Sequence, residues 1–102
     1  MPAALLVSYP ATDGARFDRD YYIATHLPLV REKWGTHGLT DAIGMWPDDD
    51  APAHVAVALL TFRDAGARDA ALASAEAGAG AVFGDVANFT DIQPSAQLLT
   101  VA

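Results

Sequence analysis

The sequence predicts an α+β domain of the ferredoxin-like class, in which two helices cover one face of a four-stranded antiparallel sheet. The length of 102 residues is that of a single domain, so we expect no boundary within residues 1–102. Strand and helix patterns follow one another in the order β-α-β-β-α-β, which is the order of a split β-α-β fold. The third strand is apolar on both sides, which indicates that both faces of the sheet are covered.

The first strand is predicted from Ala3 to Tyr9. This short apolar run contains Leu, Val and Tyr and ends at Pro10, so a strand is favoured over a helix. Residues 10–14 contain proline, aspartate and glycine, which is typical of a turn.

The first helix is predicted to begin after Asp18, a good N-cap residue. Pro28 removes one amide donor and should kink the helix beside His26, and the helix should end near Trp34 and Gly35. The predicted core-facing stripe follows steps of three and four residues through Phe17, Tyr21, Ala24, Leu27 and Val30.

The second half of the chain supplies two more strands before a second helix and one strand after it. The second helix is rich in alanine and is expected to stop at Gly78 and Gly80. Residues 81–87 are ambiguous and are compatible with a short helical turn, and the regular part of the last strand should follow Pro94. The predicted bounds are Gly38 to Trp46, His54 to Phe62, Arg63 to Ala77 for the helix, and Thr90 to Val101 for the last strand.

The third strand also predicts a partner. Both of its alternating sets are apolar: Val55, Val57 and Leu59 on one side, and Ala56, Ala58, Leu60 and Phe62 on the other. A second copy of the same sheet is the economical cover for the face without helices, because twofold dimers are the commonest oligomers. Two sheets meeting face to face would enclose a barrel-like space in which a small ligand could sit.

Composition narrows the class of protein. Six basic and thirteen acidic side chains give a net charge of −7, which repels phosphate and argues against nucleic acid as a partner. The absence of cysteine excludes disulfides and thiolate metal sites. The start of the chain lacks the features of a secretory signal, and no apolar run approaches the ~20 residues that span a bilayer, so we expect a cytoplasmic protein without a membrane partner.

The segment from Phe17 to Val30, F-D-x-x-Y-Y-x-x-x-H-x-P-L-V, resembles the signature of the EthD family, named for ethyl tert-butyl ether degradation. The segment from Asn88 to Pro94 resembles that family's approach to the last strand. The resemblance covers nearly the whole chain and implies a dimeric α+β barrel of ferredoxin-like subunits. Relatives on this scaffold include cofactor-free lactone isomerases, polyketide cyclases or dehydratases, and haem-handling monooxygenases, so the resemblance implies the fold more than the reaction.

His26 is the candidate for proton transfer, because an unperturbed imidazole titrates near neutral pH. Tyr22 precedes it by one helical turn and could orient the ring or donate to a substrate oxygen, and Tyr21 lies on the neighbouring stripe as a substrate-binding candidate. The alternative is structural: His26 would satisfy carbonyls freed by Pro28, and the tyrosines would fill the core.

Aromatic residues at strand ends are candidates for cavity walls. Tyr9 ends the first strand, Trp46 ends the second and Phe62 ends the third, and each could equally be ordinary core packing.

The other chemical candidates are weaker. His37 and His54 show no metal-ligand spacing, so we predict no metal, and nothing in the sequence selects a histidine as a haem ligand. The carboxylates of residues 48–50 lack calcium-loop spacing and are typical of a solvated turn. Pro2 could offer an N-terminal amine as a base, which is a minor alternative.

The leading hypothesis is therefore a cofactor-free enzyme that acts on a small apolar carbonyl or aromatic compound. His26 would move the proton, Tyr22 would stabilise charge on oxygen, and Tyr9, Trp46 and Phe62 would form apolar walls. Two alternatives are a non-catalytic dimer that holds a hydrophobic metabolite and a haem-binding monooxygenase-like protein.

Overall fold

The computed structural model describes residues 1–73 and 79–102. Its four strands form one sheet in the order β2-β3-β1-β4, and each neighbouring pair is antiparallel. The helices lie on one face, which confirms the predicted ferredoxin-like class. The strands are β1 (Ala3–Pro10), β2 (Leu39–Met45), β3 (His54–Phe62) and β4 (Ser95–Thr100).

The helical segments are shorter and more varied than the sequence predicts. Between β1 and β2 the chain forms α1 (Arg19–Tyr21), a π-helical turn (Tyr22–His26) and α2 (Leu27–Gly35). Between β3 and β4 it forms α3 (Ala65–Ala73), α4 (Ala79–Gly84) and a 3₁₀ helix (Asp85–Asn88).

Period-two alternation sorts the central strands into a covered and an open face. In the register of β1 with β3, Leu5 lies opposite Leu60 and Tyr9 opposite Ala56, and all four residues are buried beneath the helices. The alternate residues Leu6 and Ser8 on β1 and Val57 and Leu59 on β3 point to the other face and are half-buried. The alternation predicted for β3 is therefore confirmed, with Ala56, Ala58, Leu60 and Phe62 under the helices.

The predicted kink beside His26 takes the form of a π turn. The amide of Leu27 donates to the carbonyl of Tyr22, five residues back. Pro28 then occupies the first turn of α2, where a missing amide donor is tolerated. At the other end, the Asp18 carboxylate accepts from the amide of Tyr21 at 3.0 Å, which confirms the predicted N-cap.

The π turn makes part of the predicted core stripe wrong. Ala24 is exposed and Tyr21 is only half-buried, whereas Tyr22 and His26 are buried. The wider turn changes the angle between successive side chains, so a stripe assigned from regular α-helical spacing misses the buried pair.

The second helical region departs from its prediction in two ways. The helix begins at Ala65, where the Asp64 carboxylate accepts from the amide of Ala67 at 2.7 Å. The predicted stop at Gly80 is wrong, because Gly80 lies inside α4. Glycine weakens a helix by only about 1 kcal/mol, and packing offsets that amount. The predicted stop at Gly78 lies outside the described residues.

The open face of the sheet is apolar at its centre. Ile43 and Met45 on β2 are each 42% exposed, and Leu6, Val57 and Leu59 beside them are half-buried. Within the described residues, no helix combines the length and apolarity needed to cross a bilayer.

Candidate functional site

The π turn directs Tyr22 and His26 into the layer between helices and sheet. Gly44 on β2 makes room for Tyr22, because a Cβ at that position would lie 3.1 Å from Cε1 of the tyrosine ring. The rings of Tyr22 and His26 lie 5.3 Å apart, and only 4% of His26 is exposed. The predicted proton-transfer pair is thus adjacent and buried.

The 3₁₀ helix brings a carboxylate to His26. Oδ2 of Asp85 lies 2.9 Å from Nδ1 of His26, and the two side chains are 10% and 5% exposed. Oδ1 of Asp85 accepts from the hydroxyl of Tyr21 at 2.7 Å and from the side-chain amide of Asn88 at 3.0 Å. Asp85 therefore has a hydrogen-bond partner on each oxygen, and His26 is not satisfying a helix carbonyl through Nδ1.

The electrostatic balance favours a charged Asp85 beside a neutral His26. Burial tends to raise the pKa of Asp85, but the donors Asn88, Tyr21 and His26 outweigh it and lower that pKa overall. Burial lowers the pKa of His26, and the hydrogen bond to Asp85 only partly opposes this. At neutral pH the Nδ1–H of His26 therefore donates to the carboxylate, and the lone pair is on Nε2. No described residue hydrogen bonds with Nε2.

The tyrosines near the pair keep their protons. Burial raises the pKa of Tyr22 to about 12 and also raises the pKa of Tyr9. The hydrogen bond to Asp85 raises the pKa of Tyr21. Each hydroxyl is therefore a donor at neutral pH.

Aromatic rings surround the pair on one side. Phe89 follows the 3₁₀ helix and lies 4.6 Å from the His26 ring and 5.1 Å from the Tyr22 ring. Tyr9 contacts both Tyr22 and Phe89 edge-on, and Phe17 completes the cluster. These rings exclude water from the imidazole, which strengthens its interaction with Asp85.

His26 borders a small, partly enclosed cavity, which we call the inner cavity. Its volume accessible to the centre of a water molecule is about 20 Å³, room for about one water. It lies between α2 and the covered face of the sheet, so the space beside His26 belongs to one subunit and is not the predicted space between two sheets. Its wall includes Tyr9, Tyr22, Leu27, Val30, Trp34, Ala58, Leu60 and Phe83.

A larger open groove adjoins the inner cavity at the edge of the sheet. The groove has a volume of about 440 Å³ on the same measure and shares four wall residues with the inner cavity: Val7, Phe83, Val86 and Pro94. Phe83 is 44% exposed although it also touches the inner cavity. Phe83 is therefore an exposed side chain at the boundary of the two spaces.

The structure brings some predicted site residues together and separates others. Tyr9, Tyr22 and His26 share the inner cavity. Tyr21 instead contacts Asp85 through its hydroxyl. Trp46 packs on Phe17 and on the Tyr22 ring with the Arg19 guanidinium over its own ring, and it does not itself line the inner cavity.

Phe62 does not form the predicted wall of this site. It pairs with Ala3 at the opposite end of β1 from Tyr9, and its ring packs against Trp34. A residue at the end of a strand can lie at either end of the sheet. Because β3 runs antiparallel to β1, the last residue of β3 lies beside the first residues of β1.

Sequence reasoning missed Asp85, Asn88 and Phe89. Asp85 lies 59 residues from its partner His26, in the segment that was ambiguous between loop and helix. The available signal was the spacing of Asp85 and Asn88, which are three residues apart, with Asn88 the first residue of the second family-like segment.

The site does not fit haem or a metal cluster. The inner cavity as it stands is far smaller than a macrocycle. Among residues 1–73 and 79–102, no three His, Cys, Asp or Glu side chains are grouped to hold a metal ion. His54 is exposed and His37 half-buried at strand flanks.

Solved structures share this fold. An EthD-like protein from Ralstonia eutropha JMP134 is 31% identical with a TM-score of 0.82, over 99% of this chain and 92% of that one. An EthD family protein from Bacillus halodurans C-125 is 16% identical with a TM-score of 0.62, over 93% and 97%. SnoaB, a cofactor-independent oxygenase from Streptomyces nogalater, is 12% identical with a TM-score of 0.59, over 98% and 92%.

The likeness to the Ralstonia protein extends over almost the full length of both chains. No protein-family model matches the sequence, and no protein of curated function matches it. The more distant structures share the fold alone. Full-length similarity at 31% identity, with the tyrosine and histidine segment seated in a ferredoxin-like subunit, shows that the chain belongs to the EthD-like family.

Proposed function

We propose that this protein is a cofactor-independent enzyme that removes a proton from a small, largely apolar carbonyl or phenolic compound, with His26 as the general base. The observation that carries the proposal is the buried pair of Asp85 and His26 beside the inner cavity. A buried carboxylate that holds Nδ1–H leaves Nε2 as the basic atom, and the lowered pKa of His26 keeps that atom unprotonated at neutral pH.

Tyr22 supplies the complementary acid. Its raised pKa keeps the hydroxyl protonated, and its ring lies beside that of His26 on the same cavity wall. When His26 takes a proton from the carbon next to a carbonyl, the electron pair moves to the carbonyl oxygen, and a tyrosine hydroxyl stabilises the resulting enolate. Tyr9 is a second donor on the same wall.

The surroundings define the class of substrate. The inner cavity is bordered mainly by aliphatic and aromatic side chains, which favours an uncharged ring system over a sugar or a phosphate. A net charge of −7 disfavours anionic substrates as well. Because the closed cavity holds about one water, binding requires Phe83 to swing toward the groove. The cofactor-independent oxygenase of the same fold is compatible with chemistry performed by side chains alone.

Hydrogen exchange into 2-tetralone tests the proposal without knowledge of the natural substrate. In D₂O, the protein should accelerate the incorporation of deuterium at the carbon next to the carbonyl, which proton NMR measures. The rate of this exchange should be at least about a hundredfold lower with His26→Gln. His54→Gln is the matched control, because His54 is exposed and remote from the inner cavity. Equal exchange rates for wild type and His26→Gln would remove His26 from the mechanism.

A second candidate function is non-catalytic binding of a hydrophobic metabolite. The small volume of the closed cavity and the packing of its own aromatic rings favour this alternative. This alternative predicts that calorimetry detects binding of 2-tetralone, while deuterium enters 2-tetralone no faster with the protein than in buffer alone.

We further propose that two copies pair through the open face of the sheet. Ile43 and Met45 are large apolar residues on that face and are 42% exposed in one subunit. Covering them removes apolar surface from water, and antiparallel sheets commonly pack face to face in this way. Sedimentation should therefore find about twice the subunit mass of 10.7 kDa.

A further inference from the structure

Trp34 carries a buried donor without a partner. The residue is 0% exposed, and its indole Nε1 has no hydrogen-bond partner among the described residues. A buried polar group left unpaired costs folding free energy, and such groups are uncommon in native proteins. The ring packs edge-on against Phe83 at 5.8 Å and near Phe62 at 6.1 Å, neither of which offers a hydrogen-bond acceptor.

Trp34 and His26 both line the inner cavity, at opposite ends of one helix. They are eight residues apart, which corresponds to a rise of about 12 Å along an α-helix. The stretches of α2 and β3 that line the cavity between them are apolar: Leu27 and Val30 on α2, and Ala58 and Leu60 on β3. The cavity therefore has a polar group at each end of α2, and its other polar side chains are Tyr9 and Tyr22.

We infer that Trp34 Nε1 is the far-end specificity group of the site and that the ligand is an elongated aromatic molecule of about two or three fused rings, with a carbonyl at the end away from His26. This deepens the proposed function, because the acidic group of the same ligand would face His26. A carbonyl oxygen at the far end accepts from Nε1–H and satisfies the buried donor. A ligand without that carbonyl leaves the donor unpaired, so the site discriminates against it.

Phe83 explains how such a ligand enters. It lies between Trp34 and the open groove, contacts the Trp34 ring and lines both spaces. Its 44% exposure leaves it room to move outward. Movement of this one side chain lengthens the inner cavity at the Trp34 end and joins it to the groove.

Two naphthols provide the test. 6-Acetyl-2-naphthol carries an acidic hydroxyl at one end and a carbonyl at the other, and 2-naphthol lacks the carbonyl. Calorimetry should find that Trp34→Phe binds 6-acetyl-2-naphthol about fivefold more weakly than wild type and binds 2-naphthol within twofold. The variant keeps an aromatic ring and loses the N–H, and the ring volume that it also loses affects both naphthols alike. Trp46→Phe is the matched control, since Trp46 is outside the inner-cavity wall.

An NMR readout keeps the inference testable if Trp34→Phe folds poorly. In ¹⁵N-labelled Trp46→Phe protein, the remaining indole N–H signal is that of Trp34. It should shift downfield with 6-acetyl-2-naphthol and stay in place with 2-naphthol.

The outcomes separate this inference from the proposed function. The inference is overturned if Trp34→Phe binds both naphthols as tightly as wild type, or if the chemical shift of the indole N–H is the same with 6-acetyl-2-naphthol as with 2-naphthol. Neither outcome affects the proposed role of His26. No binding of either naphthol to wild type at millimolar concentration also overturns it. Discrimination by Trp34 together with unchanged 2-tetralone exchange in His26→Gln supports the binding subsite and refutes the enzyme.

Discussion

Replacing Asp85 with Asn should keep the His26 ring in place but move its proton from Nδ1 to Nε2. The asparagine oxygen can retain the two donors, Tyr21 and Asn88, only if its NH₂ group faces His26. The opposite orientation retains one hydrogen bond, that of His26, and turns the NH₂ group toward two donors, so it is unfavourable. Nδ1 must then accept, and Nε2 becomes a donor instead of the base.

The expected size of the effect follows from the hydrogen bonds that lose their charge. Three hydrogen bonds to a charged acceptor become neutral ones, and each should weaken by roughly 1 kcal/mol, so the free energy of unfolding should fall by about 2–3 kcal/mol. The rate of deuterium exchange into 2-tetralone should fall about 10³–10⁴-fold, the size of effect known for a histidine base held in the wrong tautomer.

Urea unfolding and deuterium exchange into 2-tetralone measure the two effects on the same samples. Asp91→Asn is the matched control: the Asp91 side chain is 60% exposed, forms a long ion pair with Arg16 and accepts from the backbone amide of Arg16 at 3.2 Å, a bond that the asparagine oxygen can keep, so its variant should stay within about 0.5 kcal/mol and keep its rate. An Asp85→Asn variant that keeps the wild-type exchange rate would refute the assignment of Asp85 as the residue that orients His26.

Three other perturbations test the packing and charge of the subunit. Gly44→Ala should cost about 1–3 kcal/mol in urea unfolding, because the new Cβ would lie 3.1 Å from the Tyr22 ring, and unchanged stability would argue against that contact. Ile43→Asp should convert the dimer into monomers in sedimentation without loss of helix content, and a persistent dimer would place the interface elsewhere. The free energy of unfolding should fall as pH decreases below about 6.5, because the buried His26 has a lowered pKa and the unfolded chain takes up the proton first; His26→Gln should flatten that part of the profile.

The fold could be predicted from local patterns because its strands alternate regularly. His54 to Phe62 has the same bounds in the sequence prediction and in the structure, since β-branched and apolar residues in a run of that length favour a strand whatever surrounds them. The start of the first helix could also be predicted from a local feature, the Asp18 carboxylate that caps it.

The errors arose where tertiary packing overrides spacing. The π turn at Tyr22–His26 replaces the regular α-helical period, so the stripe through Ala24 was wrong although His26 and Tyr22 were singled out. Gly80 lies in the first turn of α4, whereas propensity alone predicts a helix end there.

Only some residues of the candidate site could be predicted from the sequence. His26 and Tyr22 are four residues apart, so helical geometry alone brings them together. Asp85 reaches His26 only because the 3₁₀ helix is folded back onto the π turn, and no local pattern specifies that contact. The inner cavity lies on the covered side of the sheet and was not foreseen. The space expected between the sheets of two subunits stays a prediction.

A pH series of long-range ¹H–¹⁵N spectra on the labelled protein tests the central claim most directly, since it reports both the pKa and the tautomer of His26. The account predicts a neutral ring at pH 7 with the proton on Nδ1, a bare Nε2, and a pKa below the usual 6.5 because burial outweighs the attraction of Asp85. A proton on Nε2 at neutral pH, or a His26 pKa above 6.5, would contradict it.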